Sequence, residues 1–173
     1  MPGPTGTGSR QPGTVRSVTD EKAASGAGPA AVVRVTRRLH FSAAHRLGRD
    51  EWTAQRNAEV FGLCASPNWH GHNYEIDVTV EGPIDAETGF VLDLKALRSL
   101  VERRVIEDVD HRNLNLDVEW LAGVNPTTEN LVVAVWHRLT AALAPPVRLV
   151  KLVLWETPRN YVEYRGELEG SGE

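Results

Sequence analysis

The sequence has little that could cross-link it and little that could carry it into a membrane. Cys64 is its single cysteine, which excludes an internal disulfide framework and a zinc site built from several cysteines. No apolar run approaches the roughly 20 residues that span a bilayer, and the opening MPGPTGTGSRQPG lacks the hydrophobic segment of a secretory signal. The formal net charge is only −4, without the basic stripe typical of nucleic-acid binding. These absences predict a cytoplasmic protein that binds neither nucleic acid nor a membrane.

Large apolar side chains are scarce at the start of the 173-residue chain. Residues 1–31 hold six of the 15 glycines and four of the 10 prolines, and such a segment cannot bury enough surface to offset the entropy lost on ordering. We therefore predict a disordered tail at residues 1–31 and a single domain at residues 32–173, with enough apolar residues for one core.

Beyond the tail, the apolar residues recur with two different spacings in successive segments of the chain. Alternation at every second residue predicts strands, at residues 33–45, 74–80, 148–156 and 161–168, of which the last two form a hairpin. Spacings of three and four predict one helix from the Asp93 cap to about Glu107 and a second helix capped by Thr127 or Thr128. Residues 46–69 show neither period and are expected to form a loop. The order predicts an α+β fold with the helices on one face of the sheet.

Three of the six histidines are placed so that they could reach one metal ion. His70 and His72 are two apart at the start of a predicted strand, so both side chains point to one face. His45 ends the first strand with the parity of its apolar residues, and antiparallel pairing would bring it beside the other two. Three neutral imidazoles leave the fourth position of a tetrahedral zinc open for water or substrate. The alternative is polar residues at a strand end; His40 and His137 are interpreted as structural.

Chemically active residue types occur at three further places. Cys64 is either a small buried apolar residue or, beside zinc and histidines, a reactive thiolate. Asp110 could orient the imidazole of His111, although adjacent pairs of this kind also occur on surfaces. Glu156 shares the parity of the apolar residues on its strand, where a carboxylate requires an arginine or a ligand as partner.

Six short motifs occur in order: FSAAHRL, CASPNWHGHNY, VLDLKAL, DVDHRNLNLD, NPTTENL and LWET. Together they resemble the 6-pyruvoyltetrahydropterin synthase family, over residues from about Val32 to Leu168. The resemblance implies the tunnelling fold, in which an antiparallel four-stranded sheet carries two helices on one face. It also implies a homohexamer, in which three subunits close their sheets into a barrel and two trimers stack.

The resemblance further implies a reaction and a role for each candidate residue. The family converts 7,8-dihydroneopterin triphosphate to 6-pyruvoyltetrahydropterin and eliminates triphosphate. Its zinc ligands match His45, His70 and His72 of this chain, and its catalytic thiol matches Cys64. Its histidine relay matches Asp110 with His111, and the carboxylate that anchors the pterin ring matches Glu156. The segment that lines its pocket matches Thr127, Thr128 and Glu129.

Other functions stay open at this point. The sister enzyme 6-carboxytetrahydropterin synthase, of the queuosine pathway, acts on the same substrate but usually has three residues between the cysteine and HGH, whereas five separate Cys64 from His70. A branch that feeds folate synthesis has glutamate in place of this cysteine. A non-catalytic pterin-binding zinc scaffold is disfavoured because thiol, relay and anchor are all present. Trp69 stands where the pyruvoyl enzymes usually have glycine, and residues 48–59 match the family poorly apart from Asn57.

Overall fold

The structure, a computed structural model, describes residues 31–167 together with Gly3. The tail predicted for residues 1–31 thus lies, apart from Gly3 and Ala31, outside the described residues. The strands are β1 (Val32–His45), β2 (His70–Pro83), β3 (Arg112–Asn113), β4 (Arg148–Thr157) and β5 (Asn160–Tyr164). The helices are α1 (Ala54–Phe61), α2 (Leu94–Val101), α3 (Glu107–Val109) and α4 (Thr128–Thr140).

The strands form one sheet in the order β3-β1-β2-β4-β5. β1 and β2 pair antiparallel over their whole length, from Val32 opposite Pro83 to His45 opposite His70. β4 continues the antiparallel sheet from β2, and β5 from β4. The predicted α+β class and its four antiparallel strands are confirmed. The fifth strand, β3, pairs parallel with β1 over two residues, which is too short to produce a period in the sequence.

One face of the sheet carries the core. Tyr74, Ile76, Val78 and Val80 on β2 are fully buried, as their alternation predicts. Helical residues cover this face, chiefly Leu97, Val101, Val105, Val109, Leu131, Val135 and Leu139. None of the described helices is both long enough and apolar enough to cross a bilayer.

The predicted helix caps are correct. Asp93 accepts a hydrogen bond from the Lys95 N–H (2.8 Å) at the start of α2, and Thr127 accepts one from the Asn130 N–H (3.2 Å) at the start of α4. The run from α2 to α3 contains a π-helical turn at Glu102–Ile106.

The prediction of a loop over residues 46–69 was wrong in part, because α1 and a 3₁₀ turn (Gly62–Ala65) lie within it. The Thr53 hydroxyl caps α1 by accepting from the Arg56 N–H (3.2 Å). No residue of α1 is buried, so the helix has no core-facing apolar stripe that the sequence could reveal.

Candidate metal centre and active site

The three predicted histidines meet at one end of the sheet. Cross-strand pairing sets His45 opposite His70, and His72 lies two residues further along β2 on the same face. One ligand atom from each lies within 4.8 Å of the others. These residues could therefore hold a metal ion, with the two strands fixing their positions.

The buried His45 ring is oriented by the loop that precedes α4. Its Nδ1 lies 2.9 Å from the Pro126 carbonyl oxygen, which can only accept a hydrogen bond. The proton therefore sits on Nδ1, and Nε2 carries the free lone pair that a metal requires. Burial, followed by the neighbouring histidines, lowers the pKa of His45, and burial followed by His72 lowers the pKa of His70. Both effects favour neutral imidazoles.

The unpartnered nitrogen atoms of these rings fit a bound metal. His45 Nε2, His72 Nε2 and both ring nitrogens of His70 are buried and lack a hydrogen-bond partner among the described residues. Buried polar atoms without partners are rare and costly. Three imidazoles around one point would gain their missing partner from a divalent cation.

Glu156 on β4 faces the same point, as its parity predicts. Its Oε1 lies 3.7 Å from Nε2 of His45 and 3.7 Å from Nε2 of His72, beyond hydrogen-bond distance. It also lines a cavity of about 300 Å³ together with Thr128 and Glu129. Thr127, in contrast, uses its hydroxyl to cap α4. Two of the three residues expected to line the pocket thus share a cavity with the candidate anchor.

Tyr74 belongs to this cluster and was missed by the sequence analysis. It is fully buried, its ring lies 5.7 Å from that of His72, and its hydroxyl lacks a hydrogen-bond partner among the described residues. Burial, then the charges of Glu156 and Cys64, raises its pKa. The signal was available, because Tyr74 has the same period-two parity as His70 and His72.

Cys64 lies in the 3₁₀ turn and is half-buried. Its carbonyl oxygen accepts from the Leu47 N–H (2.8 Å), so the turn is tied to the segment that follows His45. This hydrogen bond sets the turn that carries the candidate thiol close to the histidine end of the sheet.

Asp110 and His111 form the expected pair, but on the surface. Asp110 Oδ2 lies 2.9 Å from His111 Nδ1, and the His111 side chain is 82% exposed. The Ser42 N–H donates to Asp110 Oδ1 (2.8 Å) and, as the largest cause, holds the pKa of that carboxyl below its usual value. No hydrogen bond joins His111 to Cys64 within residues 31–167.

Trp69 directly precedes His70 and has φ 63°, in the left-handed region that favours glycine. This backbone geometry accounts for the glycine expected there from the resemblance. The Arg46 guanidinium lies 5.1 Å from the centre of the Trp69 ring, a cation–π contact that helps to hold the indole in place.

Comparison with known proteins gives a consistent result. The profile of a family described as 6-pyruvoyl tetrahydropterin synthase matches residues 34–167. Over 135 residues, 78% of this chain and 80% of the relative, the sequence is 43% identical to 6-pyruvoyl tetrahydrobiopterin synthase of Drosophila melanogaster. It is 42% identical to the Homo sapiens protein of that name over 142 residues, 82% of this chain and 97% of the relative. The solved Caenorhabditis elegans 6-pyruvoyl tetrahydropterin synthase superposes with TM-score 0.76 at 36% identity, over 82% of this chain and 100% of that one.

Proposed function

This chain belongs to the 6-pyruvoyl tetrahydropterin synthase family, and we propose that it is a zinc-dependent lyase that converts 7,8-dihydroneopterin triphosphate to 6-pyruvoyltetrahydropterin with elimination of triphosphate. The observation that carries the proposal is the convergence of His45, His70 and His72 beside Glu156. Three imidazole donors with one position open suit zinc in a catalytic role.

Each remaining candidate has a role that follows from its surroundings. Zinc, when bound, would polarise the substrate's side-chain hydroxyl groups and make the adjacent C–H more acidic. Cys64, as a thiolate, would exchange a proton with that carbon. Asp110 keeps Nδ1 of His111 protonated, which leaves the exposed Nε2 to exchange a proton with substrate oxygen. No added oxidant or reductant is needed, because the pterin ring takes up the hydrogen that the side chain loses.

Glu156 would anchor the pterin ring. A carboxylate accepts two hydrogen bonds at once, which matches the ring N–H and the exocyclic amine of a pterin. Thr128 and Glu129 border the same cavity, which at about 300 Å³ has room for a ring beside Glu156. Thr127 would act through its cap on α4, which positions that border. Binding the ring there would hold the reacting side chain over the three imidazoles.

A homohexamer of two trimers completes the proposal. β5 lies at one edge of the sheet and the two-residue β3 at the other, and edge strands need protection from unwanted pairing. Closure of three sheets into a barrel would pair them. The exposed His111, without a hydrogen bond to Cys64 among the described residues, is consistent with a relay that serves a site in the neighbouring subunit. A cytoplasmic location fits the single free cysteine.

The decisive experiment is product analysis by mass spectrometry after incubation of the zinc-loaded protein with dihydroneopterin triphosphate. We expect 6-pyruvoyltetrahydropterin and one triphosphate released per turnover. Chelated protein and Cys64→Ala should release almost none. A 6-carboxytetrahydropterin product would overturn the proposed reaction in favour of the sister activity, and binding without any product would favour the non-catalytic scaffold.

A further inference from the structure

Tyr74 is a buried titratable group at the histidine end of the sheet, and the proposed reaction gives it no role. Seven buried side-chain nitrogen or oxygen atoms among the described residues lack a hydrogen-bond partner. Four of them are imidazole nitrogens of His45, His70 and His72. The Tyr74 ring lies edge-on to two of these imidazoles, with ring centroids 6.2 Å from His45 and 5.7 Å from His72. A metal would satisfy imidazoles, but a phenol O–H needs an acceptor.

Extending the sheet register by one pair puts a carboxylate acceptor beside Tyr74. β2 and β4 run antiparallel with Glu75 opposite Trp155, so Tyr74 and Glu156 follow as neighbours across the two strands on the core face. On the other side, Tyr74 lies opposite Phe41 of β1 and stacks on it, with ring centroids 4.8 Å apart. Tyr74 therefore lies between a stacked aromatic ring and a carboxylate that forms no ion pair with an arginine or lysine among the described residues.

The carboxylate itself has room for a third donor. Glu156 stands 3.7 Å from two imidazoles without bonding to either. A carboxylate offers about four acceptor positions, and a pterin edge would occupy two of them. A donor from the protein would fix the rotation of the carboxylate, so that both oxygens face the ring rather than the histidines.

Resting on the proposed function, we infer that Tyr74 is a positioning residue, whose hydroxyl donates a hydrogen bond to Glu156 in the pterin-bound protein and thereby orients the anchor. The inference assigns Tyr74 to substrate affinity through Glu156, and neither to metal binding nor to proton transfer. It predicts that removing the hydroxyl weakens pterin binding while leaving the fold and the metal in place.

The test is a double-mutant cycle on the zinc-loaded protein with 7,8-dihydroneopterin, which lacks the triphosphate leaving group, as the calorimetric probe. Tyr74→Phe keeps the stacking on Phe41, so we expect unchanged metal content and a melting temperature equal to or above that of the parent. Its dissociation constant should rise roughly tenfold or more, as expected for loss of a hydrogen bond to a charged group. Adding Tyr74→Phe to Glu156→Ala should cause no further loss. Tyr164→Phe, which alters a ring packed on Trp136, is the matched control and should bind like the parent.

Each other outcome is informative. Equal affinity of Tyr74→Phe and the parent would overturn the inference, and so would independent, additive effects in the cycle. A Tyr74→Phe variant that fails to fold would show that the hydroxyl is structural. If the parent protein itself does not bind 7,8-dihydroneopterin, the proposed function fails and the assignment of Tyr74 fails with it.

Discussion

The two ends of the candidate site differ in how much of their surroundings one chain supplies. At the histidine end, His45 is fully buried, its ring is oriented by Pro126, and its neighbours come from the paired strand β2. At the relay end, Asp110 is held by Ser42 and lies 2.9 Å from His111. The His111 side chain is 82% exposed and forms no hydrogen bond to the three histidines or to Cys64 among the described residues. One chain thus supplies a metal-binding geometry, whereas a proton relay on the surface would act on a site that another surface brings to it.

The largest expected effect is loss of the histidine end. In His70→Ala, two imidazoles remain, and losing one of three protein ligands should reduce zinc affinity by at least about 100-fold. Elemental analysis after dialysis should find little zinc, and an activity assay should find no turnover. His40→Ala is the control, because His40 is exposed and on the opposite face, and should retain its zinc. Full zinc occupancy in His70→Ala would contradict the site assignment.

Removal of the thiol should abolish turnover and leave the structure intact. We expect Cys64→Ala to keep its zinc and its melting temperature but to lose about 10²- to 10⁴-fold in kcat, the usual contribution of a positioned acid or base. Cys64→Ser should be similarly impaired, since a hydroxyl is far less acidic than a thiol. Normal turnover by either variant would mean that the thiol only packs.

As the pH falls, the histidine end should lose its contribution to the free energy of unfolding before the relay end does. Because burial lowers the pKa of His45 and His70 in the folded protein, the unfolded chain binds more protons below about pH 6.5. The free energy of unfolding of the chelated protein should therefore be highest above that pH. It should decrease on acidification by at most about 1.4 kcal/mol per pH unit for each imidazole. Denaturant titrations at pH 7.5 and 5.5 measure this. His40→Gln should show the same decrease; a flat profile would contradict the account.

The smallest expected effect is at Trp69, where opposing terms nearly cancel. Glycine would relieve a left-handed backbone that costs other residues about 1–2 kcal/mol. It would also lose the Arg46 contact and increase the freedom of the unfolded chain, each worth about 0.5–1 kcal/mol. We expect the stability of Trp69→Gly to lie within about 1 kcal/mol of the parent by these terms. A loss above about 3 kcal/mol would mean that the indole carries packing that these terms do not include.

Strand parity accounts for most of what the sequence could predict. It places His45 beside His70 and His72, and turns Glu156 toward them. The same rule applied to Tyr74 would have found the missed hydroxyl. Capping chemistry narrowed the cap of α4 to Thr127 or Thr128, and the structure has Thr127 in that place.

Features without a periodic signal could not be predicted in this way. α1 buries no residue, and β3 is two residues long, so neither leaves a pattern. The Pro126 carbonyl that orients His45 is a backbone group, which every residue carries. The exposure of His111 depends on how the chain leaves α3 and passes β1, which is a property of the tertiary structure.

Our proposal pairs the buried histidine end of one subunit with the exposed relay of another. It can be tested by co-expressing His70→Ala and His111→Ala with different affinity tags and assaying the mixed oligomers after two-step purification. Each variant alone should be inactive. If the relay serves a neighbouring subunit, some mixed sites combine an intact histidine cluster with an intact relay, and triphosphate release should return in the mixed oligomers. If mixed oligomers form but stay inactive, the relay serves its own chain or none, and the account is contradicted.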